Sequence, residues 1–384
     1  MTRPFRRITL YLPGFDPFPA RRYREIYRRE AAAQAAISGY RITVTCDGTA
    51  AWDISAEFSE GAAEGRVEVL VWHDLVRDSM RHGILATYLQ LLRTAWTYMA
   101  SGALFQMMRL RRGPLLAGLY PVAMLIAQLL IALALAAGVA RTLPGWWGLA
   151  GIAVATAVLA LFRRADRRLY AYYLMHDYAF AAHLDGAYPP ALEARLARFT
   201  DRLAGALAGD VDEVLLVGHS SGAAMAVSVM ADLIRAGRVP ANGPALALLT
   251  LGQVVPMLSF LPRAKRLRGD LAFLSEQPGI FWLDVSAPGD ACCFALCDPV
   301  AVSGAAGPGQ IWPLVISAAF SRTLSPERRR AMRHRWLRRH FQYLHAFDRP
   351  ADYDYFAITA GPLTLARRFA TRAPSPGVIR RAAS

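Results

Sequence analysis

The segment Glu213-Val-Leu-Leu-Val-Gly-His-Ser-Ser-Gly222, continuing as Ala223-Ala-Met-Ala-Val-Ser-Val-Met-Ala-Asp-Leu-Ile-Arg235, reads as a strand, a tight turn and a helix. Val214 to Val217 form a short apolar run suited to a strand buried on both faces, and the alanine-rich stretch after Gly222 favours helix. Between them, Gly218-His219-Ser220-Ser221-Gly222 fits G-x-S-x-G in the strand-turn-helix context of a nucleophile elbow. The spacing has a steric cause. A serine held on a strained turn leaves no room for side chains two residues to either side, so Gly218 and Gly222 occupy those positions. Ser220 is the candidate nucleophile.

Working outward, strand and helix signals alternate on both sides of this segment. Arg7-Ile-Thr-Leu-Tyr-Leu12 reads as a strand closed by Pro13-Gly14-Phe15-Asp16-Pro17, with a helix from about Ala20 to Ser38. Strand-like runs follow near 40–46, 51–58 and 66–72, with Asp47-Gly48 as a hairpin turn. Beyond the elbow helix, Ala245 to Leu251 and Gly279 to Ser286 read as strands, with a helix over 265–275 between them. Such alternation predicts an α/β fold: a mostly parallel sheet with helices on both faces. No internal repeat is visible.

Two apolar runs interrupt this pattern. Residues 115–140 carry no charge, and as a helix would extend ~39 Å, enough to span a bilayer with tilt. Residues 146–162 are also uncharged and at the lower limit for a span. The short link Arg141-Thr-Leu-Pro-Gly145 makes the pair an inserted two-helix transmembrane hairpin, with Trp146 and Trp147 near the interface. Arg109, Arg111 and Arg112 precede it and Arg163, Arg164, Arg167 and Arg168 follow it, against a lone Arg141 in the turn. Under the positive-inside rule both ends face the cytoplasm. The expected organisation is residues 1–108 as the N-terminal part of a catalytic domain, 109–168 as the hairpin, 169–370 as the rest of that domain, and 371–384 as a disordered tail. A long helical pattern from Asp74, through Leu91, Trp96 and Met107, points either to contact with a bilayer surface or to a core helix.

Composition agrees with membrane contact. Hydrophobic residues make up 54% of the 384 residues, high for a soluble chain. The formal net charge is +15 and Lys265 is the only lysine. Much of the arginine flanks apolar segments without any nucleic-acid-binding motif, so an anionic membrane surface is the expected partner rather than nucleic acid. The N-terminus lacks the apolar region of a signal peptide, which predicts a catalytic part facing the cytoplasm from the inner membrane. Cys46, Cys292, Cys293 and Cys297 do not match a zinc spacing and read as thiols in a reducing compartment.

A serine hydroxyl needs a histidine base, and that base needs a carboxylate to fix its tautomer. In Ser286-Ala-Pro-Gly-Asp290 the turn forced by Pro288 and Gly289 presents Asp290 at the end of a strand, where catalytic groups of open α/β sheets collect. Asp298 and Asp284 are the alternatives. Among the later histidines, His340 closes a basic run and opens the apolar stretch Phe341 to Leu344, whereas His334 lies inside that run; His345 is the runner-up. His219 reads as a structural neighbour of the nucleophile. In the loop after the first strand, Gly14 lets the backbone aim an N–H at a substrate carbonyl, which nominates the backbone N–H groups of Phe15 and Ser221 as the oxyanion hole.

With Gly218-His-Ser-Ser-Gly222, Asp290 and His340 in that order, the chain resembles the α/β-hydrolase superfamily, most closely its lipase and esterase branch. The resemblance covers residues 8–72 and roughly 191–344. It implies a serine hydrolase working through an acyl-enzyme on Ser220, with His340 as base, Asp290 as its orienting acid, and no metal or organic cofactor. Pro13-Gly14-Phe15 stands where many relatives have His-Gly, and the hairpin is not a general feature of that superfamily. The expected substrate is an ester or lipid-like molecule taken from the bilayer. An acyltransferase using the same acyl-enzyme and a non-catalytic membrane-bound scaffold are the alternatives.

Overall fold

Apolar residues along the central strands feed two separate cores. In β1 (Phe5–Leu12), Leu10 and Leu12 pack on one side and Tyr11 on the other; in β5 (Glu213–His219), Val214 and Leu216 oppose Leu215 and Val217. All four apolar residues of β5 are fully buried, each worth about 1.5–3 kcal/mol by transfer out of water. A strand buried on both faces requires helices on both, and they are present. The computed structural model describes residues 3–143 and 145–382. Helices Pro190–Leu207, Ser221–Arg235 and Lys265–Ser275 cover one face, while Arg21–Ser38 and the C-terminal segments around Tyr343 and Phe356 cover the other.

The sheet has eight strands in the order β2-β3-β4-β1-β5-β6-β7-β8, with β2 Arg41–Asp47, β3 Ala51–Phe58, β4 Gly61–Val69, β6 Ala245–Leu251, β7 Phe281–Ser286 and β8 Leu314–Ser317. From β4 to β8 every pairing is parallel, whereas β2, β3 and β4 form an antiparallel meander. The meander is dictated by its links, because connections this short can only reverse the chain. Gly48, at φ 70°, makes the first of these turns. Strand β4 begins and ends earlier than the 66–72 expected from sequence. At the opposite edge from the site, Arg7 and Glu213, on paired positions of β1 and β5, form a buried ion pair at 2.6 Å. Gly361 O and Leu365 N–H complete their hydrogen bonding, which ties the C-terminal region to the base of the sheet.

Of the two apolar runs, the first forms one helix, Arg112–Thr142, with Pro121 inside it. Among the described residues it is the one helix long and apolar enough to cross a membrane, with mean hydropathy 2.5 over its best window and 17% of that window buried. The second run is divided into a 3₁₀ turn, Gly145–Leu149, and a helix, Ala150–Arg164, of 15 residues. That helix alone is ~22 Å long, short of the ~30 Å hydrocarbon thickness. It packs back along the first helix, and a Cβ on Gly151 would lie 2.6 Å from Ala136 O. Pro144, in the expected link, lies outside the described residues.

The helical part does not stop at 109 and 168: Ile84–Ala100 and Ala171–Ala182 pack with it through Leu91, Leu125, Tyr172 and Met175, so the apolar pair is embedded in a larger helical layer. The segment from 371 is not loose at its start. Ser375 N–H donates to Val315 O, its hydroxyl accepts from Ser317 N–H, and Ile379 bridges Cys297, so the strand edge left open by β8 orders the tail.

Candidate active site

The C-terminal ends of β1, β5, β6 and β7 lie along one edge of the sheet and supply the loops that converge there. Ser220 follows β5 with φ 58° and ψ −127°, a conformation that L residues adopt only under constraint, and leads into helix Ser221–Arg235. Its N–H is held by Leu251 O at 2.9 Å. The two flanking glycines have no space for a side chain. A Cβ on Gly218 would meet Ala223 Cα at 2.7 Å, and one on Gly222 would meet Leu12 O at 2.3 Å. Gly222 is thus what lets the loop after β1 close against the turn. Gly14 is as tight on the other side, where a Cβ would lie 2.9 Å from Ser220 Cβ.

Asp290 sits on the turn after β7, closed by its N–H donating to Ala287 O at 2.8 Å. His340 ends the short helix Trp336–His340, and its Nδ1 lies 2.7 Å from Asp290 Oδ2 with both groups buried. Tyr343 Oη donates to the same carboxylate oxygen, and Cys292 N–H donates to Oδ1. Burial alone would raise the Asp290 carboxyl, but the charge and hydrogen bond of His340, with the Cys292 N–H, hold it below the usual carboxylate range. An ionised Asp290 can only accept, so Nδ1 carries the proton, and in the neutral ring Nε2 presents its lone pair. That Nε2 is buried and has no partner among the described residues. His340 and Ser220 line a common cavity without a direct hydrogen bond in this state.

The other acids and histidines considered from the sequence go elsewhere. His219 Nε2 contacts His340 O at 3.1 Å, and burial, reinforced by His340, lowers its pKa to about 3, so it braces the base as a neutral ring. His345 Nδ1 bonds Phe341 O, and His334 is exposed. Asp284 is buried in β7 on Thr250 and pushed up to about 8 by burial, while Asp298 caps the helix at Pro299. Asp290, Cys292 and His340 also form the one described group with donor atoms close enough for a metal, within 4.8 Å. Their fit to a cation is poor. Both carboxylate oxygens are already hydrogen-bonded, and burial pushes the Cys292 thiol well up, away from the thiolate a metal needs.

Of the two backbone N–H groups expected to receive an oxyanion, one is engaged in this state. Phe15 N–H donates to Ser221 Oγ at 2.8 Å, so it is not open to a substrate in this state. The cause is the short hydroxyl of Ser221, which satisfies an otherwise orphaned donor beside the helix terminus. The loop is also fixed by Trp72 Nε1, donating to Pro13 O at 2.9 Å, and by Tyr173 Oη, donating to Phe15 O. Ser221 N–H, in the first turn of the elbow helix, has no acceptor among the described residues and points the positive end of the helix at the site.

Several functional neighbours were not found from the sequence. Gly252, at φ 53° after β6, leaves room for the base: a Cβ there would lie 3.2 Å from His340 Cε1 and 2.6 Å from Tyr343 Cε2. Asp177, half-buried on helix Ala171–Ala182, lines the Ser220 cavity, and burial pushes its carboxyl up to about 7. The signal for it was a single acid within a run of apolar and aromatic residues. Ala117, from the first turns of the long apolar helix, lines the same cavity, and Gly113 packs on Ala291 beside the acid. A second cavity, lined by Trp72, Phe180, Leu192, Met225 and Leu258, adjoins the first through Phe15, Asp177, Val254 and Met257. No protein-family model, curated protein or solved structure matches the chain.

Proposed function

We propose that the protein is a membrane-anchored serine hydrolase that cleaves carboxylic esters of lipid-like substrates, the chemistry of an α/β-hydrolase. The observation that carries this reading is the Asp290–His340 pair, with an unpartnered Nε2 turned to the cavity that Ser220 enters from a strained turn. Nε2 takes the Ser220 proton as Oγ adds to the ester carbonyl carbon. The tetrahedral oxyanion is held by Ser221 N–H and the dipole of its helix, with Phe15 N–H joining once the Ser221 hydroxyl releases it. Collapse breaks the ester C–O bond, and the proton on His340 leaves with the alcohol. Water then repeats the sequence on the acyl-enzyme. Asp290 keeps the imidazole in the tautomer both steps need.

Two features favour a lipid-like ester over a small soluble one. The second cavity is lined almost wholly by apolar side chains and reaches Ser221, the chemistry an acyl chain would meet. The apolar helical layer exposes large side chains where a soluble protein carries polar ones: Leu85, Leu89, Leu92, Trp96 and Met99 recur along one stripe of helix Ile84–Ala100. Arginines at both outer ends of the apolar pair favour a cytoplasmic catalytic side. Since Ala117 and Gly113 touch the site, the first helix would hold Ser220 close to the membrane surface. Hydrolysis of p-nitrophenyl esters of graded chain length by the full chain in detergent tests the proposal: long-chain esters should be preferred and Ser220→Ala should abolish turnover. Activity confined to acetate, or retained in the alanine variant, contradicts it.

A further inference from the structure

A wide basin adjoins the Ser220 cavity. The two share Asp16, Tyr173, Leu337 and Phe341 as their common wall. Around the basin stand Arg22, Arg29, Arg163, Arg164, Arg167 and Arg338. Four carboxylates also line it, but each is already engaged. Asp16 accepts from Tyr23 Oη and Phe18 N–H and pairs with Arg22 at 3.4 Å, Glu25 pairs with Arg24 and Arg28, Glu30 holds Arg29 and Ala346 N–H, and Asp166 accepts from Tyr172 and Tyr173 N–H. Arg164, Arg167 and Arg338 are exposed and have neither hydrogen bond nor ion pair among the described residues. Arg22 lies over the rings of Phe18 and Phe341, at 4.3 and 5.2 Å, which sets a guanidinium at the neck between basin and nucleophile.

Guanidinium groups left without counter-charges, as those of Arg164, Arg167 and Arg338 are, repel one another unless an anion joins them, and their planar donor fork suits phosphate oxygens. The ligand must reach Ser220 through the neck and present its negative group outside it. Met80, Ile26 and Tyr170, also in the basin wall, suit a partly apolar molecule. We propose that this basin is the subsite for a phosphate group carried by the substrate, so that the ester cleaved at Ser220 is an anionic, phosphate-bearing one; this rests on Ser220 being the nucleophile. The phosphate could belong to a bilayer lipid or to a soluble phosphate ester, and Arg163, Arg164 and Arg167, at the end of the second apolar helix, would lie at headgroup level if that helix enters the membrane.

The test uses the full chain carrying Ser220→Ala in dodecyl maltoside, titrated calorimetrically with dodecyl phosphate and in competition with inorganic phosphate. Dodecyl phosphate should bind, and Arg164→Gln, Arg167→Gln and Arg338→Gln combined should weaken it by about tenfold or more through loss of charge-assisted hydrogen bonds. Arg338→Glu, on a separate element, should give a loss in the same direction and covers the case in which the triple variant fails to fold. Displacement only by a large excess of inorganic phosphate assigns the group to a lipid; displacement at equal concentration assigns it to a soluble phosphate ester. Unchanged affinity in the folded variants, or no binding of dodecyl phosphate, overturns the subsite. Binding is read without turnover, so a nucleophile other than Ser220 would leave this result standing and would appear only as labelling that survives the alanine replacement.

Discussion

The backbone N–H of Phe15 donates to the Ser221 hydroxyl oxygen at 2.8 Å, beside the nucleophile that the proposed reaction requires. The hydroxyl therefore competes with the substrate for one of the two donors. Ser221→Ala removes the competitor and leaves the Phe15 N–H to the substrate. The expected result is a kcat that rises by up to about fivefold, the equivalent of about 1 kcal/mol for one neutral hydrogen bond. A fall of about 10²–10³ would show that the hydroxyl is itself an oxyanion donor.

Asp290 fixes the tautomer of His340, and its amide counterpart offers an N–H as readily as an oxygen to Nδ1. Asp290→Asn should lower kcat by about 10⁴ while the fold survives. Measured side by side, kcat and the melting temperature separate this role from a structural one: a large loss of melting temperature with little loss of kcat contradicts it.

Asp177 makes stability depend on pH. Burial raises its carboxyl from the ordinary 3.8 to about 7, with the charge of His340 acting in the opposite direction. Between about pH 4 and pH 7 the native state therefore holds more protons than the unfolded chain, so this group lowers stability as pH rises across that window. Asp177→Asn should raise the melting temperature. The gain should be absent near pH 4, grow toward pH 7 and level off above it. A gain of equal size at all three pH values contradicts the assignment.

The buried pair of Arg7 and Glu213 joins β1, β5 and the C-terminal region. Arg7→Ala leaves a carboxylate without its charge partner at a position that is 1% exposed, a loss of about 3–5 kcal/mol. Chemical denaturation of Arg7→Ala and of Arg7→Met with Glu213→Leu checks it: the double replacement should cost less than the single one.

What could be read from the sequence follows from range. The elbow is local: its strand is four consecutive apolar residues and its glycines answer a crowding visible within five positions. Asp290 was legible because Pro288 and Gly289 make the turn that displays it, and His340 because the charge pattern changes there. Fixing Asp177 beside Ser220 needs a helix folded across the sheet edge from 43 positions away, for which neither segment carries a local sign. The Phe15 bond was hidden for another reason, since it depends on a side-chain hydroxyl where the sequence reading counted only backbone donors. The ordered tail was missed because Pro374 and Pro376 look like loop, while the edge of β8 that receives Ser375 is set by the whole sheet.

The most direct measurement of the central claim is reaction of the full chain with a fluorophosphonate probe, with the modified residue located by mass spectrometry. The account predicts a single adduct on Ser220, lost in Ser220→Ala and formed far more slowly in His340→Ala. An adduct elsewhere, or labelling that persists in the alanine variant, would contradict it.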